Sequence, residues 1–544
     1  EVVRTVPGVA DTAVVGKPHD VLGEVPVAYV VPGPDGFDPA HVLATCHEKL
    51  SPFKVPEEIY EIARIPRTAS GKITRHVLLE LPARLRAIGS DEYESLLRMD
   101  WVPRPLRFDP PALTGSWAVA GPGSDGFAAA LRSAASPDQA EANVSVHASP
   151  DEIRVAVASG APAPDVLVLL PPAAAENGDV AEAVGACVRA LSAEVDALLA
   201  DERLPTSVVV LVTRGVVVTS EQDDVRELRH APLWGVLRSA QAEHPGRVRL
   251  VDADAPAGDD FQWWAGALIT AVTGGEAQSA VRGGVVLVPR LARVSVPTEP
   301  ERELVVDPAG TVLVTGADGV RGAAIARHLA TAYGVRHLLL LSADGWPDET
   351  AAELVAQFAA VGTEITLRTG AAADRATLAA LLGKRKRLVT GVVHAEEPSS
   401  RYPVESVVRG TVNLHELTRS IAPELFVVVT SACGPLGGAG RAEQAATDVF
   451  GEALVFRRRR RGLAGMALAW GPLAEEGPSR LPGAGVMSTS DGLVMLDAAL
   501  AAGHGSLSVL RVDPTNVAHH APVVLHDLID LSPYCAGRYQ SDRK

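Results

Sequence analysis

The hydrophobic and polar positions divide the chain into three stretches of different rhythm. In the first, up to residue 88, positions 13–15 and 25–31 read as short strands around a polar turn at 19–24. Residues 39–50 have helical spacing and stop before Ser51-Pro52. A further strand is predicted at 59–62, then a loop at 66–72 and a helix over 75–87. Residues 89–111 form a Gly/Ser- and Pro-containing bridge. From Ser116 short apolar runs at 117–120, 166–170, 208–212 and 248–251 alternate with Ala-rich helical segments such as 180–199. That is a βαβ rhythm, hence a mostly parallel sheet. A Pro/Glu-rich hinge at 297–302 ends this stretch. The rhythm then restarts, with strands predicted at 311–314, 337–341, 388–393, 425–429 and 467–470 and a helix at 323–333. The domains expected are 1–88, a linker with an opening strand at 89–111, α/β units at 112–300 and 301–525, and a tail at 526–544.

With 544 residues, 47% hydrophobic and 21% charged, the composition excludes bulk disorder. Acidic residues outnumber basic ones, 66 to 50, for a net charge of −16, which argues against general nucleic-acid binding. The basic run Arg457–Arg461 ends a helical stretch and reads as a solvated helix end. Four scattered cysteines, with no CxxC or Cys/His spacing, suggest neither a metal site nor a disulfide scaffold, and point to a reducing cytoplasm. No apolar run of ~20 residues indicates a membrane span. The absence of an initiator Met and the mid-phrase opening at Glu1 read as a piece of a longer polypeptide.

Chemistry enters with Pro66-Arg67-Thr68-Ala69-Ser70-Gly71-Lys72-Ile73. A lysine in such a loop is a compact charge with three donors that can bridge two anions. Gly71 beside it permits close approach to a ligand. This segment, with Leu50-Ser51-Pro52-Phe53-Lys54-Val55-Pro56 and Leu22-Gly23-Glu24-Val25-Pro26 before it, resembles the C-terminal lid of the adenylate-forming superfamily. The resemblance implies that Lys72 is the adenylation lysine, with Arg75 and Lys54 fold or surface residues. It implies ATP with Mg, bound through a large adenylation core upstream. Ser-Gly-Lys-Ile is closer to ligases of aryl or simple acyl acids than to amino-acid adenylation domains, which suggests a carboxylic acid without an α-amino group.

The remainder resembles the ketoreductase region of modular polyketide synthases. The resemblance rests on 93–104, Ala231-Pro232-Leu233-Trp234-Gly235, Val285–Leu291, Gly310-Thr311-Val312-Leu313-Val314-Thr315-Gly316, Asn413–Leu417 and Leu468-Ala469-Trp470-Gly471. It implies an α/β fold class: a small α+β lid followed by two Rossmann-like halves, one structural and one of the short-chain dehydrogenase/reductase type. The family's cofactor turn, Thr-Gly-x-x-x-Gly-x-Gly, keeps Thr315, Gly316 and Gly322 but reads Val320 at the middle glycine. The arginine expected for the NADPH 2′-phosphate is Ala343, and the adenine-binding aspartate is Ala371. His-Ala-Ala-Gly has become His394-Ala395-Glu396-Glu397. Ser431 stands at the catalytic serine position. The tyrosine is Gln444, which has no proton to give to an alkoxide. The asparagine is Asp448 and the lysine Val407. Ser431 is then expected as a satisfied strand-end serine, with Asp448, Glu396 and Glu397 solvated.

These residues imply part of an assembly-line loading module. It would activate a carboxylic acid as acyl-AMP and pass it to the phosphopantetheine of an acyl carrier protein downstream. The reductase region would be a spacer to which NADPH binding is not expected. Two alternatives stay open: a keto-acid-activating depsipeptide synthetase with a working reductase, and an interaction platform only.

Overall fold

The computed structural model describes residues 2–19, 23–34, 36–50, 54–56, 58–68, 71–79, 81, 83–88, 93–104, 113, 115–134, 144–171, 178–220, 223–254, 261–294, 307, 309–383, 388–396, 403–513 and 522–530. Leu22, Ser51–Phe53, Ala69, Ser70, the hinge at 297–302, Glu397 and the tail from 531 lie outside the described residues.

In the first unit Val9–His19 (β1) and Gly23–Pro32 (β2) pair antiparallel. Glu58–Glu61 (β3) runs parallel to β2, and Arg84–Ile88 (β4) closes the sheet antiparallel to β3. Helix Pro39–Lys49 buries Val42 and Cys46 in one core with Ala28, Val30 and Ile59. The helix expected over 75–87 is one turn, Arg75–Leu78, followed by β4. Pro82 cannot donate to a continuing helix, and sheet pairing outweighs the helix propensity of Ala-Arg-Leu-Arg-Ala. The unit meets the rest of the chain through Lys17, whose Nζ lies 3.0 Å from Glu58 and 3.0 Å from Asp491.

Tyr93–Pro103 (β5) opens the larger body. Its first half holds Trp117–Ala120 (β6), Val144–His147 (β7), Val166–Leu169 (β8), Val208–Arg214 (β9), Val248–Ala253 (β10), Gln278–Arg282 (β11) and Val285–Val294 (β12). The second half holds Thr311–Thr315 (β13), His337–Ser342 (β14), Glu364–Thr369 (β15), Val389–His394 (β16), Leu425–Ser431 (β17), Met466–Trp470 (β18) and Ser506–Val509 (β19). All join one 15-stranded sheet, in the order β15-β14-β13-β16-β17-β18-β19-β5-β12-β11-β10-β9-β8-β6-β7. β13 to β19 are parallel throughout, and β5 is antiparallel to both β19 and β12. The two halves therefore share one sheet with β5 as the seam.

They also share a core. Trp234 and Leu237 of helix Ala231–Glu243 pack with Ala446, Val449 and Phe450 of helix Ala442–Arg460. A side chain on Gly235 would strike the Ala445 carbonyl, so these helices can cross only on a glycine. The arginine run at the end of helix Ala442–Arg460 is not uniformly solvated as expected. Arg458 is fully buried, with its guanidinium carbon 3.9 Å from the Phe426 ring centre and its Nε donating to the Ala464 carbonyl at 2.6 Å. Burial pulls it down to about 10.

Candidate functional site

The lysine loop is a small hairpin. Arg67 and Ile73 form an antiparallel bridge; Thr68 N–H donates to the Lys72 carbonyl at 2.8 Å, and Gly71 N–H to the Thr68 carbonyl at 2.9 Å. Gly71 has φ +81° in the left-handed region, and a side chain there would meet nothing within 4 Å. Glycine is thus needed for the torsion rather than for space. Arg67 fastens the hairpin to β1, donating to Asp11 at 2.7 Å and to the Gly71 carbonyl at 3.2 Å. Burial raises the Asp11 carboxyl, but the hydrogen bonds from Arg67 and Arg4 outweigh it and hold it below the usual range. Lys72 itself is exposed. A braced loop carrying an exposed ammonium suits a lysine that must reach a phosphate and a carboxylate held elsewhere.

In the large sheet the chain lays β14 and β15 on one side of β13, and β16 onward on the other. Such a reversal opens a crevice at the carboxyl ends of the central strands, where open α/β sheets take their ligands. One wall is the turn after β13. Gly316 has φ +65°, and a side chain on it would approach the Ala395 carbonyl to 2.5 Å. Helix Val320–Thr331 follows, with Gly319 at its N-cap. Val320 stands where the middle glycine was expected, directly after Gly319. The turn carries glycines at 316, 319 and 322, and Val320 is the exposed first helical residue. Arg321 in the same turn is paired with Glu476 at 2.9 Å.

The facing wall is the end of β16. His394 is buried, with Nδ1 2.7 Å from Thr315 Oγ1 and Nε2 3.0 Å from Thr411 Oγ1. Burial holds it down at about 4, so it is neutral near pH 7. Glu396 is half-buried rather than solvated as expected. Its Oε1 accepts from the Ala372 N–H at 3.3 Å, in the loop after β15. Burial, with Asp318 across the crevice adding repulsion, pushes its carboxyl up to about 7. Asn413 fixes the same loop from below, donating to the Ala372 carbonyl at 3.1 Å and the Ala373 carbonyl at 3.0 Å. Ala343, just past β14, and Ala371, just past β15, offer no side-chain donor or acceptor. Carboxylates stand on both walls, an arrangement that repels a pyrophosphate.

The reductase positions come together. Ser431, the last residue of β17, donates its hydroxyl to Asp448 Oδ2 at 2.5 Å, and its N–H to Asp448 Oδ1 at 3.0 Å. Gln444, one turn earlier on the same helix, donates to Asp448 Oδ1 at 3.2 Å. The Cys433 N–H donates to Ser431 Oγ at 3.2 Å. Asp448 is 5% exposed, so it is a buried hub rather than the solvated carboxylate expected. The i, i+4 spacing of Gln444 and Asp448 was the signal for this pairing. Val407 is buried on helix Val404–Thr418 and has no polar atom to add. Among the described residues no group of three or more His, Cys, Asp or Glu is placed to hold a metal ion. No helix among them is long and apolar enough to cross a membrane.

Comparison with known proteins follows this division. Residues 1–72 match the AMP-binding enzyme C-terminal domain. Residues 99–291 match the Rossmann fold domain described for the polyketide synthase extender module SpnB, and 310–475 match the KR domain. The spectinabilin polyketide synthase system protein NorA' of Streptomyces orinoci is 36% identical over 475 residues, covering 82% of this chain and 12% of that protein. The chain thus spans a small part of that relative's length. A solved C2-type ketoreductase from a modular polyketide synthase is 26% identical with a TM-score of 0.64, covering 80% of this chain and 98% of that one. The adenylation, ketoreductase and pseudo-Asub structure of a keto acid-selecting NRPS module is 16% identical with a TM-score of 0.63, over 98% of this chain and 50% of that one; the likeness is one of fold. The chain therefore joins an AMP-binding C-terminal subdomain to a ketoreductase region of the polyketide-synthase kind, built as two Rossmann-like halves on one sheet.

Proposed function

We propose that this chain works within an assembly-line loading module that activates a carboxylic acid with ATP as an acyl-adenylate and passes it to the phosphopantetheine of a carrier protein. Lys72 serves the adenylation half-reaction, together with a core and Mg supplied by the same polypeptide. The region from β5 to β19 is a rigid spacer between lid and carrier; it binds no NADPH and reduces nothing. The observation carrying this reading is the Ser431–Asp448–Gln444 network. Ketone reduction needs an acid that gives a proton to the developing alkoxide. Gln444 has no ionisable proton, and the Ser431 hydroxyl that would polarise a carbonyl is already donated to a carboxylate.

The test is titration of the chain with NADPH by calorimetry, together with a reduction assay on a β-keto thioester. No binding below millimolar cofactor and no turnover are expected. Micromolar binding with turnover would refute the spacer reading. It would also promote the second reading, a keto-acid-activating module, which the shared domain order with the keto acid-selecting structure favours.

A further inference from the structure

Glu396 makes a contact outside its own loop. It follows β16, which lies on one side of β13, while Ala372 follows β15, two strands out on the other side. A hydrogen bond at 3.3 Å nevertheless joins the Glu396 side chain to the loop after β15. The N–H it takes is of the kind that open α/β sheets offer to a ligand at the carboxyl ends of their strands. The turn after β13 keeps glycines at 316, 319 and 322. We infer that Glu396 helps close this crevice to dinucleotides: its carboxylate takes up the Ala372 N–H and, with Asp318, sets negative charge where a dinucleotide would lie. This rests on the spacer reading above and assigns its cause.

Among the described residues, the groups facing Glu396 are these. Asp318 comes from the turn after β13, and the loop after β15 contributes the Ala372 N–H. On β16 itself His394 is engaged by Thr315 and Thr411 and is neutral above about pH 4. Asp374, farther along the loop after β15, caps the next helix through Ala376 and Thr377. No cation accompanies Glu396 in this set. An ionised Glu396 therefore opposes a pyrophosphate, and its neutral form does not.

The experiment compares the 544-residue chain with Glu396→Gln and Glu396→Ala, titrating NAD+ and NADP+ by calorimetry at pH 6 and pH 8. NAD+ serves for the pH comparison because its pyrophosphate does not titrate in that range. Removing one negative charge from this crevice predicts a gain on the order of tenfold to a hundredfold in dinucleotide affinity at pH 8. The unmodified chain should bind NAD+ more tightly at pH 6 than at pH 8, with a midpoint near the value of about 7 set for Glu396 by burial. The isosteric Glu396→Gln should lose that dependence. If the glutamine and alanine variants fold and bind no better than the parent, and the parent shows no pH dependence, Glu396 is not the barrier and the inference fails while the spacer reading stands. Micromolar NADPH binding by the unmodified chain at pH 8 would overturn both. The pH comparison needs no substitution, so it decides even if both variants misfold.

Discussion

Replacing Asp448 by the asparagine that the ketoreductase pattern has at this position restores a family residue, yet the geometry predicts a loss. Asp448 accepts from the Ser431 hydroxyl at 2.5 Å, the Ser431 N–H at 3.0 Å and the Gln444 amide at 3.2 Å. An asparagine keeps one oxygen, which can serve the Ser431 N–H and Gln444. Its NH2 then faces Ser431 Oγ at a separation too short for N–H···O, so the pair must move apart by a few tenths of an ångström. Ser431 would have to turn its proton elsewhere while Oγ already accepts from the Cys433 N–H. Losing one charge-assisted hydrogen bond in a buried site costs about 1.5–3 kcal/mol, part of it recovered if Oγ accepts from the new amide. Asp448→Asn should therefore cost about 1–3 kcal/mol. Asp448→Ala, which strips the acceptor from three donors, should cost about 3–5 kcal/mol. Urea midpoints followed by tryptophan fluorescence, at constant m, give these values. A cycle with Ser431→Ala should show a coupling of about 1–3 kcal/mol. Additive single effects, or an Asp448→Asn variant as stable as the parent, would mean that the network is not held as described.

Lys72→Ala in the full-length parent should lower acid-dependent pyrophosphate exchange by orders of magnitude and leave the melting temperature unchanged, since the side chain is exposed. Unchanged exchange would remove its assignment. Arg458→Ala should cost about 3–5 kcal/mol in urea unfolding, because it empties a fully buried site and leaves the Ala464 carbonyl without its donor. Two titrations should oppose each other between pH 4.5 and 6.5. His394 titrates at about 4 in the folded chain against an ordinary 6.5, so the unfolded chain binds more protons between those values. Its contribution, on the order of 3 kcal/mol, is complete above pH 6.5 and lost as pH falls through 4. Glu396 is raised from 4.5 to about 7, so its contribution is complete below pH 4.5 and lost as pH rises through 7. Urea midpoints from pH 4.5 to 6.5 should be nearly flat for these two groups in the parent, fall with rising pH in His394→Asn and rise with pH in Glu396→Gln.

Regular elements with strong periodicity were legible in the sequence. Helix Val180–Leu199 lies where its apolar spacing put it, and the central strands β8, β9, β10, β13, β14, β16 and β17 lie within two residues of their apolar runs. Strands β7, β11 and β19 are four or five residues long and left no usable pattern. β4 was hidden because its residues favour a helix in isolation and become a strand only through β3. The site was harder to read for a different reason. Which residue types occupy the reductase positions is visible in the string of letters; whether a charge among them is buried is not. Asp448, Glu396 and Arg458 all read as solvent-facing, and each is enclosed by partners distant in the chain or a helical turn away.

The seam strand has a consequence for how the chain is made. Leu97 of β5 pairs with Arg293 on one side and with Ser508 on the other. During synthesis β5 emerges first, and both edges stay open until its partners appear. At ~5–20 residues per second the second partner arrives tens of seconds later. Loop-closure entropy opposes both pairings until then. The first half can complete its sheet as far as β12 and gain one edge of β5. The other edge, carrying the fully buried Leu96 and Leu97, remains uncovered until β19 is made. A nascent chain halted before residue 506 would present an apolar, unpaired edge to its neighbours, so the ribosome-bound intermediate is the most aggregation-exposed form of this protein. Fragments cut within the second half should precipitate or recruit chaperones, whereas synthesis through β19 seals the sheet in one late step.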